Sequence, residues 1–177
     1  TEDCVNLAQS LVYLNVAPGV GLLSAIVDRF SQQLATAAPS DVAGMLWTLG
    51  GFWRSSSECM WLRQHPQLLR DLLAVNLRQL AAQQYSPLEL KRVLAAVVAM
   101  GCNPGQAWLQ AHEAAVVAQL GDVHLFTLEQ IVRGYRALGY QAQQGQLLQQ
   151  DLMQKREQWQ QQQQQQQCQQ PQPPEQQ

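Results

Sequence analysis

Apolar residues recur at helical spacing along most of this chain. The clearest stretch is residues 86–101, where Leu90, Val93, Leu94, Val97 and Met100 make one apolar stripe. Both of its ends are marked. Ser86 is a good N-cap, Pro87 suits the first helical position, and Glu89 can close a capping box onto Ser86. Gly101 supplies a left-handed stop. This pattern predicts an amphipathic helix that must bury one face.

The same stripe returns in register on both sides. Moving 48 residues upstream gives Val42, Met45, Leu46, Leu49 and Phe52; moving 38 downstream gives Leu128, Ile131, Val132, Tyr135 and Leu138. Pro18, Pro66 and Pro104 each stand 35 residues before Trp53, Gly101 and Gly139. Between each proline and its stripe lies a second helical pattern. It is carried by Leu22, Leu23, Ile26, Val27 and Phe30 in the first copy and by Leu68, Leu69, Leu72, Leu73 and Leu77 in the second. In the third it is carried by Trp108, Leu109, Ala115, Val116 and Leu120. The predicted unit is proline, helix, turn, helix, glycine, with a period of 38 where copies abut.

A helical hairpin cannot bury both its faces alone, and stacked hairpins share a continuous core. The expected fold class is therefore all-α, an α-solenoid of three to four repeats followed by a disordered Gln-rich tail. Residues 1–15 carry the stripe offsets of a truncated repeat, so the chain is expected to be part of something longer. Residues 16–53, 66–101 and 102–139 are full repeats, and 54–65 is an inserted loop with a short helical turn toward its end. Residues 140–159 are expected to cap the stack, and 160–177 form the glutamine and proline tail, the alternative being a glutamine helix that runs a few turns on from Leu152.

Composition narrows the function. No uninterrupted apolar run approaches the ~18 residues of a membrane span. Four widely separated cysteines show neither zinc nor disulfide-framework spacing. A net charge of −2 argues against a strong nucleic-acid footprint over the whole surface. Between Arg54 and Arg136, however, eight basic residues face six acidic ones. There is no phosphate-cradling G-x-x-x-x-G-K loop and no G-x-S-x-G elbow, and the histidines lack metal spacing with any cysteine. We expect no enzyme, no cofactor, no metal site and no small-molecule substrate.

The proline-led 38-residue unit resembles octotricopeptide repeats, a family abundant in green algae. The likeness is carried by Ser86-Pro87-Leu88-Glu89-Leu90, Leu94 and Gly101, and by the run from Pro39 to Leu49. It covers roughly Cys4 to Met153. Trp47 has no aromatic counterpart in the later units, and Trp53 stands in place of the terminal glycine. The resemblance implies non-catalytic binding of single-stranded RNA in an organelle, chloroplast ahead of mitochondrion. There such proteins act in transcript stability, processing, splicing or translation, each repeat meeting about one base.

Candidate RNA contacts follow from equivalent offsets in successive first helices. Trp108 and His112 are one turn apart and would stack a base, with Arg70 at the matching position of the neighbouring unit. The competing interpretation makes Trp108 a core residue and His112 a satisfied surface histidine. Lys91 and Arg92 begin a basic ridge that Arg133 and Arg136 continue one unit on, suited to phosphates. The alternative is a solvated helix face. The alternative function is a protein-interaction scaffold, such as a structural subunit of an organellar ribosome. The sign of the concave face separates the two.

Overall fold

The computed structural model describes residues 2–53 and 56–169. They form nine α-helices and two short 3-10 turns, with no strand among the described residues. The fold is all-α. The helices are α1 (Glu2–Tyr13), α2 (Gly19–Ser31), α3 (Pro39–Phe52), α4 (Ser56–Gln64) and α5 (Pro66–Ala81). They continue with α6 (Pro87–Met100), α7 (Gln106–Val117), α8 (Leu125–Ala137) and α9 (Gly145–Gln169).

Two rows result. In one, α1 packs on α3, α3 on α6 and α6 on α8. In the other, α4 packs on α2 and α5 on α7. The stripe residues explain the first row. All five are buried in α3 and in α6, and in the last copy Leu128, Ile131 and Tyr135 are buried while Val132 and Leu138 are half-buried. Glycines set its spacing. A Cβ added at Gly50 would lie 2.9 Å from the Ala96 Cα, and one at Gly134 would lie 2.7 Å from Leu94 Cδ2. Helices α3 and α6 therefore meet nearly backbone to backbone, and at Gly134 the Leu94 side chain of α6 lies directly on the backbone of α8.

The end signals act as expected. Ser86 Oγ accepts from the Glu89 amide at 3.4 Å, while the Glu89 carboxylate accepts from the Ser86 amide at 2.7 Å. Gly101 adopts the left-handed conformation at φ 60°. Trp53, lacking that freedom, stays right-handed at φ −57°. The turn geometry itself recurs. Gln33, Ala37 and Ala38 have (φ, ψ) of (−114°, 3°), (−64°, 137°) and (−64°, 152°). Gln119, Val123 and His124, each 86 positions later, have (−119°, 15°), (−76°, 117°) and (−65°, 146°).

Two segments differ from expectation. The inserted stretch is largely helical, as α4, rather than a loop; Arg54 and Ser55 lie outside the described residues. The reason is Glu58, which is buried and whose Oε1 accepts from the Gly19 amide at 3.0 Å. A carboxylate at a helix N-terminus satisfies an otherwise unpaired N–H and complements the helix dipole, so α4 is pinned to the start of α2. At the other end, α9 continues through Gln169 where a disordered tail is expected from Gln160. Glutamine is a good helix former, and the run holds no glycine, proline or β-branched residue before its end. The rest of that tail, 170–177, lies outside the described residues. Among the described residues no helix is long and apolar enough to cross a membrane.

Candidate functional site

Trp108 and His112 do not form an exposed stacking pair. Trp108 is 1 % exposed and His112 is fully buried. Their rings stack on each other at 5.1 Å inside the core. Trp108 Nε1 donates to Asn76 Oδ1 at 2.8 Å, and Asn76 Nδ2 donates to the Tyr85 hydroxyl at 2.7 Å. That hydroxyl donates to Gln79, whose amide donates to the Ala37 carbonyl at 2.9 Å. One polar chain thus runs from α7 through α5 to the turn before α3. Burial demands it, because an unpaired indole N–H or amide in the core costs about 1–3 kcal/mol. His112 is therefore not the surface histidine of the competing interpretation either.

The His112 tautomer follows from its partners. Nε2 lies 2.9 Å from the Leu90 carbonyl, which can only accept, so Nε2 carries the proton. Nδ1, 2.8 Å from the Tyr135 hydroxyl, then accepts from it. Burial holds the imidazole neutral, its pKa lowered from 6.5 to about 4 even though the Leu90 hydrogen bond favours the charged form. The unfolded chain takes up this proton near pH 6.5 and the folded chain only near pH 4. Stability contributed above pH 6.5 is therefore lost as the pH falls toward 4, by about 3 kcal/mol in all. Urea unfolding at pH 7 and pH 4.5 should show that loss in the native chain, and His112→Gln should flatten it.

The basic candidates divide. Arg70 is exposed on α5, where its Nε reaches back to the Pro66 carbonyl at 3.5 Å, in the row opposite the stripe helices. Arg136 borders a recess shared with Tyr140 and Leu148, on a different side of α8 from Arg133. The expected ridge therefore breaks after Arg133. Neither Arg70 nor Arg136 joins the others.

Lys91 and Arg133 do come together, in a groove of about 730 Å³ along the α1–α3–α6–α8 row. Small residues line much of it: Gly50, Gly51, Ala95, Ala96, Ala99 and Gly134. Trp47, Lys91, Gln130 and Arg133 supply the larger side chains, and no carboxylate is among the residues lining it. Arg92 flanks it, its guanidinium 5.9 Å from the Trp47 ring centre. Tyr13 also lies against Trp47, with ring centres 5.1 Å apart and planes at 38°. Among the described residues no carboxylate pairs with Lys91, Arg92 or Arg133. The arrangement suits an anionic, planar-faced ligand.

Trp47 and Tyr13 escape a search by repeat offsets, since neither has an aromatic equivalent in the later units. The signal available for Trp47 is its place beside the apolar stripe of α3 rather than on it. Among the described residues no group of three or more His, Cys, Asp or Glu is gathered as metal ligands would be. Comparisons with protein-family models, with curated proteins and with solved structures found no match.

Proposed function

We propose that the chain is an α-solenoid of tandem helical hairpins that binds single-stranded RNA, without catalysis, along the α1–α3–α6–α8 groove. The observation that carries this is the groove itself, with aromatic and cationic side chains and no lining carboxylate. Repeat stacking is supported by the turn angles that recur 86 residues apart. It is also supported by two turn carbonyls at equivalent positions, Ala37 and Tyr85, each of which accepts from a glutamine of the following unit: Gln79 at 2.9 Å and Gln119 at 2.8 Å. The resemblance to octotricopeptide repeats implies organellar RNA as the ligand.

The test is binding of the chain to a random pool of single-stranded RNA at two salt concentrations. Phosphate contacts at Lys91 and Arg133 should weaken binding by roughly sevenfold between about 50 and 200 mM salt. Reversing all three charges to Glu should reduce affinity at least about tenfold, since each charge-assisted contact contributes appreciably. Reversing Arg70 and Arg136 should change it far less. Absence of binding at low salt, or indifference to the triple reversal, rejects the proposal.

A second reading is a protein-interaction scaffold, including a structural role in an organellar ribosome. It rests on the exposed apolar side chains of Tyr13, Leu14, Val16, Val20 and Leu22 along the α1–α2 turn.

A further inference from the structure

We propose that Tyr13, Trp47 and Arg92 form a platform that stacks one unpaired nucleobase at the α1–α3 end of the groove, while Lys91 and Arg133 hold flanking phosphates. This rests on the RNA-binding reading of the groove and adds to it where a base is engaged and why a duplex is disfavoured.

Tyr13 is the reason to look here. It is 65 % exposed, yet its ring lies against Trp47 rather than extending free into water. One ring face is engaged at a tilt, leaving apolar area open to solvent. Trp47 borders the groove and is itself only half-buried, with Arg92 over its ring. Every base has a π-face, so such a surface stacks bases without demanding a particular sequence. Arg92 adds a cation beside the rings, which also favours the electron-rich faces of bases.

The phosphates have their own partners. Lys91 is adjacent to Arg92 in α6, and Arg133 lies on α8, the next helix of the row. Both border the groove that Trp47 borders. The small side chains between them let a sugar–phosphate backbone come close to the helices, and among the described residues the cations have no carboxylate to release first. In a duplex both faces of an internal base are already stacked, so the platform could engage only phosphates.

The experiment compares three probes on the full chain: a single-stranded oligoadenylate, an abasic oligonucleotide of the same length and charge, and an RNA duplex. The oligoadenylate should bind about tenfold more tightly than the abasic probe. Tyr13→Ser, an exposed change that should leave folding intact, should shrink that ratio several-fold while leaving abasic binding unchanged. Trp47→Leu, checked for folding by circular dichroism, should do the same. Equal binding of oligoadenylate and abasic probe overturns the platform and leaves the RNA-binding reading standing. Tyr13→Ser with an undiminished ratio also overturns the platform. Binding of no probe at low salt overturns both.

Discussion

Trp108→Ala should destabilise the chain by about 5 kcal/mol, measured as the shift in a urea unfolding curve. Truncating a fully buried tryptophan costs about 3–5 kcal/mol through lost transfer energy and the cavity left behind. The change also removes the donor to Asn76 Oδ1, and Asn76 is itself fully buried. An orphaned buried acceptor adds about 1–3 kcal/mol. These contributions share atoms and do not simply add, hence a figure in the lower half of the combined range. Domains of this kind are stable by only about 5–15 kcal/mol, so the variant would sit near the unfolding threshold at 37 °C. Trp108→Phe separates the causes. It keeps most of the ring and loses the N–H, so it should cost about 2 kcal/mol. A base-stacking Trp108 would behave oppositely, losing RNA affinity with its stability nearly intact. A stable Trp108→Ala protein would contradict the buried network.

That network also marks the limit of what periodicity can tell. The stripes of α3, α6 and α8 are legible because burial of one helix face forces apolar residues onto a fixed period. The caps at Ser86 and Gly101 are legible because their chemistry is local. Trp108 and His112 are not, since a spacing of one turn is the same for a pair in the core and a pair in water. Asn76 held the missing hint. It is a short amide on the face that Leu72 and Leu80 bury, and a polar group on a buried face must have a partner. Helix α4 was hidden for another reason: its anchor, Glu58 on the Gly19 amide, joins residues 39 apart that share no local pattern. The groove was half visible. Lys91, Arg92 and Arg133 stand out as cations, but Trp47 and Tyr13 meet only because α1 and α3 pack together.

How closely those helices pack can be tested at Gly50. On helix propensity alone, Gly50→Ala in the interior of α3 should stabilise by about 1 kcal/mol. We expect the opposite sign. The new Cβ would stand 2.9 Å from the Ala96 Cα and 3.2 Å from its Cβ. The obstacle is backbone, which no rotamer change can move aside. Relief requires α3 and α6 to separate, and that loosens Leu46, Leu49, Val93 and Val97, each at most 1 % exposed. Overpacking of this kind costs about 1–3 kcal/mol, so Gly50→Ala should be net destabilising by about 1 kcal/mol and Gly50→Leu by about 3 kcal/mol or more. Gly21→Ala is the control. Its Cβ meets nothing within 4 Å, and it should stabilise by about 0.4–1 kcal/mol. If Gly50→Ala stabilises as Gly21→Ala does, the two helices are not in backbone contact. The same substitution carries a functional consequence. Trp47 is on α3 and Lys91 and Arg92 are on α6, so parting these helices pulls the aromatic platform away from its cations. On the proposed RNA-binding reading of the groove, Gly50→Ala should therefore weaken RNA binding while removing no charge and no ring.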